Sequence, residues 1–160
     1  MVALIEFAPP SSADFAVLSH ELREHDRIEA TAMLGASDAD ALEDMAKRSC
    51  RVTAVYLRGD LLLVMGLAAR TYLADVGSPW MLATTLAETK EGRRALLRHG
   101  RAGWLDMVQG LSTAWNLVAV QNVRAIRWLR WLGCSIEEHN QHRINGVNFV
   151  VFKQEFSNVR

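Results

Sequence analysis

Apolar and polar residues recur with different periods along this chain, and each change of period marks a predicted element. A short apolar run over residues 2–8 predicts a first strand. Apolar residues then recur at helical spacing from Phe15 to Met33, which predicts one helix that ends at Gly35. A second helix is predicted to begin after Ser37, where a serine and an aspartate offer N-terminal caps.

The middle of the chain has the pattern of antiparallel strands. Polar and apolar residues alternate over residues 51–57, and a continuous apolar run covers residues 61–69, with an Arg-Gly-Asp turn between them. This pattern predicts a hairpin whose second strand is covered on both faces. Residues 77–79, Gly-Ser-Pro, are predicted to break the chain, and a further strand follows over residues 80–84.

The second half of the chain alternates helices with strands. Its predicted elements are a helix over residues 90–110, a strand over 117–120, a helix from Asn122 to Gly133, and a hairpin of strands 135–143 and 147–153 around Asn145 and Gly146. The whole order of elements predicts an α+β fold with a mixed, mostly antiparallel sheet and helices on both faces. Because no linker or repeat is visible, residues 1–160 are expected to form a single domain.

The charge of the chain limits its expected partners. Eighteen basic residues balance eighteen acidic residues, so the formal net charge is zero. No net field attracts nucleic acid or an anionic membrane, and nucleic acid is not expected as a partner. Little charge repulsion separates two copies, which favours a homo-oligomer. The longest apolar run, residues 61–69, is about half as long as a membrane span, and no span is expected.

Two side chains of the first predicted helix are candidate general bases. His25 and Glu29 are four positions apart and therefore share one helix face, next to Asp26. Such residues can take a proton from an amine at a cleft. The alternative is an ordinary helix surface with a local hydrogen bond or ion pair. No spacing typical of a metal site appears, since His139 and His142 point to opposite faces of a strand.

Aromatic and basic residues interleave on the last predicted helix. Trp128 and Trp131 lie among Arg124, Arg127 and Arg130. One interpretation is a surface that stacks on bases and contacts the phosphates of nucleic acid. The favoured interpretation is a helix with one buried and one partly exposed tryptophan beside solvated arginines, because the net charge is zero and no groove-reading motif is present. An exposed tryptophan beside arginine is also typical of a protein–protein hot spot.

The segment from Asn122 to Cys134 resembles the late helix of the GNAT N-acetyltransferases, and the order of predicted elements is similar to the GNAT fold. The matching residues are Asn122, Ala125, Leu132 and Gly133. The resemblance implies that fold, with acetyl-CoA as the candidate cofactor and with Val120 and Asn122 among its contacts. In two places the sequence departs from the family: Leu129 stands where many members have a tyrosine general acid, and Cys134 replaces the final aromatic residue.

The stretch over residues 84–94 corresponds to the glycine-rich loop whose backbone N–H groups bind the pyrophosphate of acetyl-CoA in GNAT enzymes. It contains a single glycine, and Glu88 and Glu91 stand where phosphates would have to come. Basic residues and the positive end of a helix compensate in part. The resemblance therefore implies these candidate cofactor contacts: Lys90, Gly92, Arg93 and Arg94.

Three stretches of the chain resemble the small internal virion proteins of short-tailed bacteriophages. They are residues 25–30, 79–84 and 114–122, and the last, with its Trp115-Asn116 pair, is the most specific. This resemblance implies a phage protein that binds another phage or host protein during particle assembly or early infection. Its expected location is the host bacterial cytoplasm and the virion interior. The alternative function is an active acetyl-CoA-dependent N-acetyltransferase that modifies a host protein or a small amine.

Overall fold

Seven strands, five α-helices and one short 3-10 helix make up the described part of the chain, residues 4–69 and 75–157 of a computed structural model. The strands are β1 (Ile5–Ala8), β2 (Arg51–Leu57), β3 (Asp60–Ala69), β4 (Val76–Ala83), β5 (Thr113–Ala119), β6 (Ser135–Ile144) and β7 (Val147–Glu155). The helices are α1 (Ser12–Glu21), α2 (Glu24–Leu34), α3 (Ala39–Lys47), α4 (Lys90–Met107) and α5 (Val123–Leu132), with the 3-10 helix at Thr85–Glu88. Residues 2 and 3 of the predicted first strand lie outside the described residues. No helix in the two described ranges is long and apolar enough to cross a membrane.

The strands form one sheet in the order β1-β2-β3-β4-β5-β7-β6. All neighbouring pairs are antiparallel except β4 and β5, which run parallel. The two predicted hairpins have the left-handed turn backbone that hairpins favour, with φ of 52° at Arg58 and 84° at Gly59, and of 47° at Asn145 and 83° at Gly146. The prediction of an α+β fold with a mixed, mostly antiparallel sheet is confirmed.

Helices cover both faces of the sheet because β3 is apolar on both sides. Val64 packs in a cluster with Leu18 of α1 and Leu42 of α3. Leu63, the preceding residue, points to the opposite face and packs with Ala95 of α4. The continuous apolar run is thus a central strand with a helix layer on each side, as predicted.

Helices α4 and α5 share the second face of the sheet. Gly100 of α4 lies so close to the Trp128 ring of α5 that any Cβ atom at position 100 would overlap the ring. Trp104 of α4 also packs against the cluster that contains Leu129 of α5 and Val118 of β5. The two helices therefore form one layer, and α1, α2 and α3 form the other.

The first helical segment differs from its prediction, because it is interrupted at Leu22 and Arg23. Leu22 continues the apolar period but forms an isolated bridge with Thr84. The Arg23 backbone N–H donates to the carbonyl oxygen of Ala83 over 3.0 Å. The chain therefore pairs with the end of β4 between α1 and α2. Local periodicity misses this interruption because the pairing partner is remote in sequence.

The prediction that residues 77–79 break the chain is wrong, because they lie inside β4. Pro79 is opposite Leu67 of β3, and its carbonyl oxygen accepts a hydrogen bond from Asn116 Nδ2 on the other side. In an antiparallel pair the backbone nitrogen and carbonyl of one residue point to the same edge, so the ring nitrogen of Pro79 faces away from β3. The proline therefore removes no hydrogen bond from the ladder.

Two further boundaries differ from their predictions. β5 begins at Thr113, ahead of the predicted start at Leu117, because Thr113 and Ala114 pair with both β4 and β7. α4 ends at Met107, whereas the prediction extends to Gly110, which adopts a left-handed φ of 86°. Both shifts lie at element ends, where tertiary pairing decides.

Candidate active site

The parallel strands β4 and β5 separate soon after they begin. They are in register only at Val76 with Thr113 and at Gly77 with Ala114. Beyond these pairs they diverge towards their C-terminal ends, and a cavity of about 390 Å³ occupies the gap. This volume is within the usual range for small-molecule sites.

Both helix layers contribute to the cavity wall, which is mainly apolar. Apolar lining residues include Met33, Met65, Met81, Leu117, Trp128 and Leu129. The polar lining residues include Arg23, Asp26, Glu29, His99, Asn116 and Asn122. An apolar cleft with a few convergent polar groups is typical of a ligand site.

Asn116 of β5 bridges the two strands just beyond their last backbone pair. Its side-chain Nδ2 donates to the carbonyl oxygen of Pro79 on β4 over 3.0 Å. Its Oδ1 accepts from the backbone N–H of Leu117 over 2.8 Å. The side-chain amide therefore replaces the backbone ladder at the point where the strands part.

Asp26 of α2 provides a hydrogen-bond acceptor for the backbone at the end of β4. Its Oδ2 accepts from the backbone N–H of Ala83 over 2.8 Å and from the Arg23 guanidinium, with Nη2 at 2.9 Å. The side chain is only 3% exposed. Burial raises its pKa, while Arg23 and the Ala83 N–H act in the opposite direction.

Glu29, one turn further along α2, satisfies the end of β5. Its Oε1 accepts from the backbone N–H of Ala119 over 2.9 Å and from Asn122 Nδ2 over 3.0 Å. Asn122 is buried and also caps α5, since its Oδ1 accepts from the backbone N–H of Ala125 over 3.3 Å. One carboxylate thus holds both the strand end and the start of the next helix.

The second oxygen of Glu29, Oε2, is not used in holding the strand end and the helix start. Oε2 accepts no hydrogen bond from a described residue, whereas Oε1 accepts two. Burial raises the pKa of Glu29, which the bonds from Asn122 and Ala119 counteract. A carboxylate with a raised pKa is a better proton acceptor at neutral pH.

Met81 directs its backbone N–H and C=O into the gap. Pro79 and Ala83 face the gap, as their bonds to Asn116 and Asp26 show, and alternate residues of a strand point their backbone groups to the same edge. The Met81 groups have no partner among the described residues because β5 has already diverged. They are available to a ligand that lies along β4.

The start of α4 lacks the open glycine-rich loop of the GNAT enzymes. The Thr89 hydroxyl accepts from the backbone N–H of Gly92 over 3.1 Å and so occupies one helix-terminal donor. A Cβ atom at position 92 would overlap the carbonyl of Leu86, so only glycine allows this close turn. Glu91 is paired with Arg58 at 2.8 Å between Oε1 and Nε, which draws its charge away from the helix start.

The predicted site residues are only partly brought together. Glu29 and Asn122 meet at the cavity, where they bond to each other. His25 is exposed and does not line the cavity, and Val120 is exposed with its N–H bonded to the Asn148 carbonyl. The four predicted cofactor contacts at the start of α4 do not line the cavity either. Gly92 is buried, and the other three are exposed: Lys90, Arg93 and Arg94.

Sequence reasoning missed the roles of Asp26 and Asn116. A polar Asn inside an otherwise apolar strand segment is a signal that a side chain must satisfy something buried. Pro79 in a neighbouring strand is the complementary signal, because it has no backbone N–H to donate on the side that faces the gap. Asp26 has no comparable local signal, since its partner at Ala83 depends on the tertiary fold.

Solved acetyltransferase structures share the fold. The acetyltransferase of the GNAT family from Streptococcus pneumoniae has a TM-score of 0.63 at 12% identity, covering 96% of this chain and 100% of that chain. Spermidine N-acetyltransferase from Vibrio cholerae, in complex with CoA and spermine, has a TM-score of 0.67 at 15% identity, covering 94% and 95%. Ribosomal-protein-S5-alanine acetyltransferase from Vibrio fischeri has a TM-score of 0.63 at 11% identity, covering 100% of both chains. The protein therefore has the GNAT acetyltransferase fold.

The comparisons by sequence add nothing to this likeness. No protein-family model matches the chain, and no curated protein matches it. The resemblance to internal virion proteins of bacteriophages stays a prediction, because the structural likeness concerns the fold alone.

Proposed function

We propose that this protein is an acetyl-CoA-dependent N-acetyltransferase. The observation that carries the proposal is the gap between β4 and β5, where the Met81 backbone faces an apolar cavity of about 390 Å³. An extended chain such as the pantetheine arm of CoA can pair with a free strand edge in the way that a peptide does. The apolar walls suit the remainder of that arm.

The residues of this chain fit the cofactor, with one altered part. Met81 would hold the pantetheine arm, and the exposed Lys90, Arg93 and Arg94 would face the phosphates at the α4 start. When bound, acetyl-CoA supplies the thioester from which the acetyl group is transferred. The altered part is the phosphate loop, where Thr89 already caps the Gly92 N–H and side-chain charges replace some backbone donors.

Glu29 is the group best placed to take a proton from an acceptor amine. Its Oε2 accepts no hydrogen bond from a described residue, and its Oε1 is fixed by Ala119 and Asn122, so the carboxylate is held in one orientation. Burial raises its pKa, which makes the carboxylate a stronger base. Leu129 is buried in the cavity wall and cannot donate a proton to the thiolate of CoA.

The acceptor is proposed to be an amine of a small molecule or of a protein. The Vibrio cholerae relative is named for spermidine and its structure contains spermine, and the Vibrio fischeri relative is named for an alanine of a ribosomal protein. In this chain two carboxylates, Asp26 and Glu29, line the cavity from α2. Carboxylates attract a cationic amine, which supports an amine acceptor.

The first experiment is a calorimetric titration with acetyl-CoA. We expect saturable binding at micromolar concentrations. Met81→Pro removes the N–H that faces the gap without removing a ladder bond, and we expect it to weaken binding by roughly tenfold. Met81→Leu is the matched control, because it keeps the N–H and the apolar side chain. No saturable binding at millimolar acetyl-CoA would overturn the proposal.

The second experiment separates binding from transfer. We expect Glu29→Gln to keep acetyl-CoA binding but to slow acetylation of spermine or of a peptide amine by roughly a hundredfold. His25→Gln is the control, since His25 is exposed and outside the cavity. Equal rates for wild type and Glu29→Gln would exclude Glu29 as the base.

A second candidate function is protein binding during particle assembly or early infection, which the virion-protein resemblance implies. Edge strand β1 favours it: Leu4 and Phe7 are 60% and 54% exposed at the outer edge of the sheet. Such an edge can accept an added strand from a partner. A defined partner should co-purify with wild type and be lost with Phe7→Lys; retention by the variant would speak against this role for β1.

A further inference from the structure

Positive charge is concentrated on one stripe of α4. The helix carries five basic residues, all exposed: Lys90, Arg93, Arg94, Arg98 and Arg101. Lys90, Arg94 and Arg98 follow each other at four-residue spacing, and Arg101 comes three residues later. At 3.6 residues per turn these positions fall on one side of the helix.

Helix α5 extends this basic surface. It carries Arg124, Arg127 and Arg130, all exposed, and no acidic residue. The two helices together have eight basic and two acidic residues, a formal charge of +6. One of the two acidic residues, Glu91, is already paired with Arg58 from the β2–β3 turn.

Side-chain contacts join the two stripes into one surface. Trp128 of α5 packs against Gly100 of α4, which brings the helices into close contact. The Arg101 guanidinium lies 4.3 Å from the ring centroid of Trp131 and its Nη2 donates to the Trp131 carbonyl over 2.8 Å. We name the exposed side of this pair of helices the α4–α5 surface.

Few acidic groups neutralise the α4–α5 surface. Among its eight basic residues, only Arg130 forms an ion pair within residues 4–69 and 75–157, with Glu138. The compensating acids are in the opposite layer, since α1, α2 and α3 together have eight acidic and two basic residues. The zero net charge of the chain is therefore the sum of two oppositely charged layers.

We propose that the α4–α5 surface binds single-stranded nucleic acid through its phosphates. Arginine guanidinium groups match phosphate oxygens in geometry and charge. From Lys90 to Arg101 the stripe is about 16 Å long at 1.5 Å per residue, enough for roughly four phosphates. The net charge of zero predicts no nucleic-acid partner. The net charge differs from this proposal because it does not show how the fold distributes basic and acidic residues between the two layers.

Apolar groups between the cations favour a single strand over a duplex. Leu97 is 60% exposed and Trp131 is 37% exposed, and both belong to the α4–α5 surface. Unpaired bases offer their flat faces to such side chains. In a duplex the bases are stacked on each other, and mainly the phosphates would contact the α4–α5 surface. Trp131 is held in place by Arg101 and by Trp128, with 5.0 Å between the two ring centroids.

The test is fluorescence anisotropy with a labelled 20-nucleotide single-stranded DNA of mixed sequence and its duplex. We expect salt-dependent binding of the single strand, with a slope of log K against log salt of about −3 for four phosphate contacts. The double variant Arg98→Gln with Arg127→Gln should bind roughly tenfold more weakly, because two phosphate contacts are lost. The matched control is Lys47→Gln with Arg48→Gln, which removes two exposed cations from the opposite layer and should bind like wild type.

Three results would overturn nucleic-acid binding by the α4–α5 surface. The first is no binding of the single strand at low salt, and the second is an equal loss in the two double variants. The third is self-association without nucleic-acid binding, if it weakens with salt and is lost in the Arg98→Gln and Arg127→Gln variant. The partner of the surface would then be the acidic layer of a second copy. Equal or tighter binding of the duplex would contradict the single-strand assignment. Acetyl-CoA titration of the same variants is independent, since neither arginine lines the cavity.

Discussion

The two ends of the β4–β5 seam satisfy their backbone groups in different ways. At the closed end, Val76 and Gly77 pair with Thr113 and Ala114 through the ordinary parallel ladder. At the open end, side chains accept the hydrogen bonds of the strand ends, and the two strands no longer pair with each other. The difference shows how a sheet can open to form a cavity while side chains accept the hydrogen bonds of the N–H groups at the two strand ends.

The open end depends on ionisable groups, and the closed end does not. Asp26 and Glu29 each accept a hydrogen bond from the end of one strand, Ala83 or Ala119. Buried carboxylates are costly unless they are paired, so this half of the seam is sensitive to pH and to single substitutions. The closed half should respond mainly to changes in volume.

The largest effect is expected when the β4 end loses its acceptor. Asp26→Leu leaves the Ala83 N–H and the Arg23 guanidinium without a partner, and we expect a loss of about 3 kcal/mol in the free energy of unfolding. Asp26→Asn keeps an acceptor oxygen and should lose less. Urea denaturation followed by tryptophan fluorescence measures both. A loss of less than ~1 kcal/mol for Asp26→Leu would mean that water satisfies the strand end.

Asn116→Ala should have the next largest effect. It removes the bridge between the Leu117 N–H and the Pro79 carbonyl, and we expect a loss of about 2 kcal/mol in the free energy of unfolding. Asn116→Asp is the comparison variant, because it keeps the acceptor for Leu117 but places an oxygen beside the Pro79 carbonyl. If the alanine variant were as stable as wild type, the bridge would have no role in holding the strands.

Gly77→Ala tests the closed end by volume. A Cβ atom there would lie 3.0 Å from Leu67 Cδ1 and 3.1 Å from Leu111 Cδ1. Leucine side chains can shift slightly, so we expect a loss of about 1 kcal/mol in unfolding free energy. Gly103→Ala, on the cavity wall, meets only Met65 Cε at 3.5 Å and should gain about 0.5 kcal/mol from helix propensity. Equal changes at both sites would remove the distinction between a packed and an open end.

The smallest expected effect is the pH dependence that Glu29 confers. Burial raises the pKa of Glu29 above its ordinary value of 4.5, so the folded state binds its proton more tightly than the unfolded chain does. Between these two pKa values the unfolding free energy falls as pH rises, and above the raised value it is constant. We therefore expect wild type to lose stability relative to Glu29→Gln as the pH rises above 4.5. Parallel pH profiles for the two proteins would contradict this.

Much of the fold could be predicted from local signals. The hairpin turns at Arg58-Gly59 and Asn145-Gly146 are encoded by residues that favour a left-handed backbone, and the caps of α5 are encoded by Asn122 and Gly133. The break between α1 and α2 could not be predicted, because Leu22 fits the helical period and only its partner at Thr84 reveals the interruption.

The candidate site was less predictable than the fold. Glu29 and Asn122 were chosen for their residue types, but they are 93 positions apart, and no local pattern indicates that they bond to each other. The same limit applies to charge: the arginines of α4 and α5 are visible in the sequence, whereas their common layer depends on the order of the strands. Pairings between remote segments decide both features.

The contacts of α2 also limit how early this helix can be anchored during translation. Glu29 bonds to Ala119, 90 residues later, and the Ala32 carbonyl accepts from Asn145 Nδ2, 113 residues later, over 2.7 Å. The helix is synthesised before its partners, which follow only after 90 or more further residues. The first layer is therefore incompletely anchored until the β6–β7 hairpin has been made.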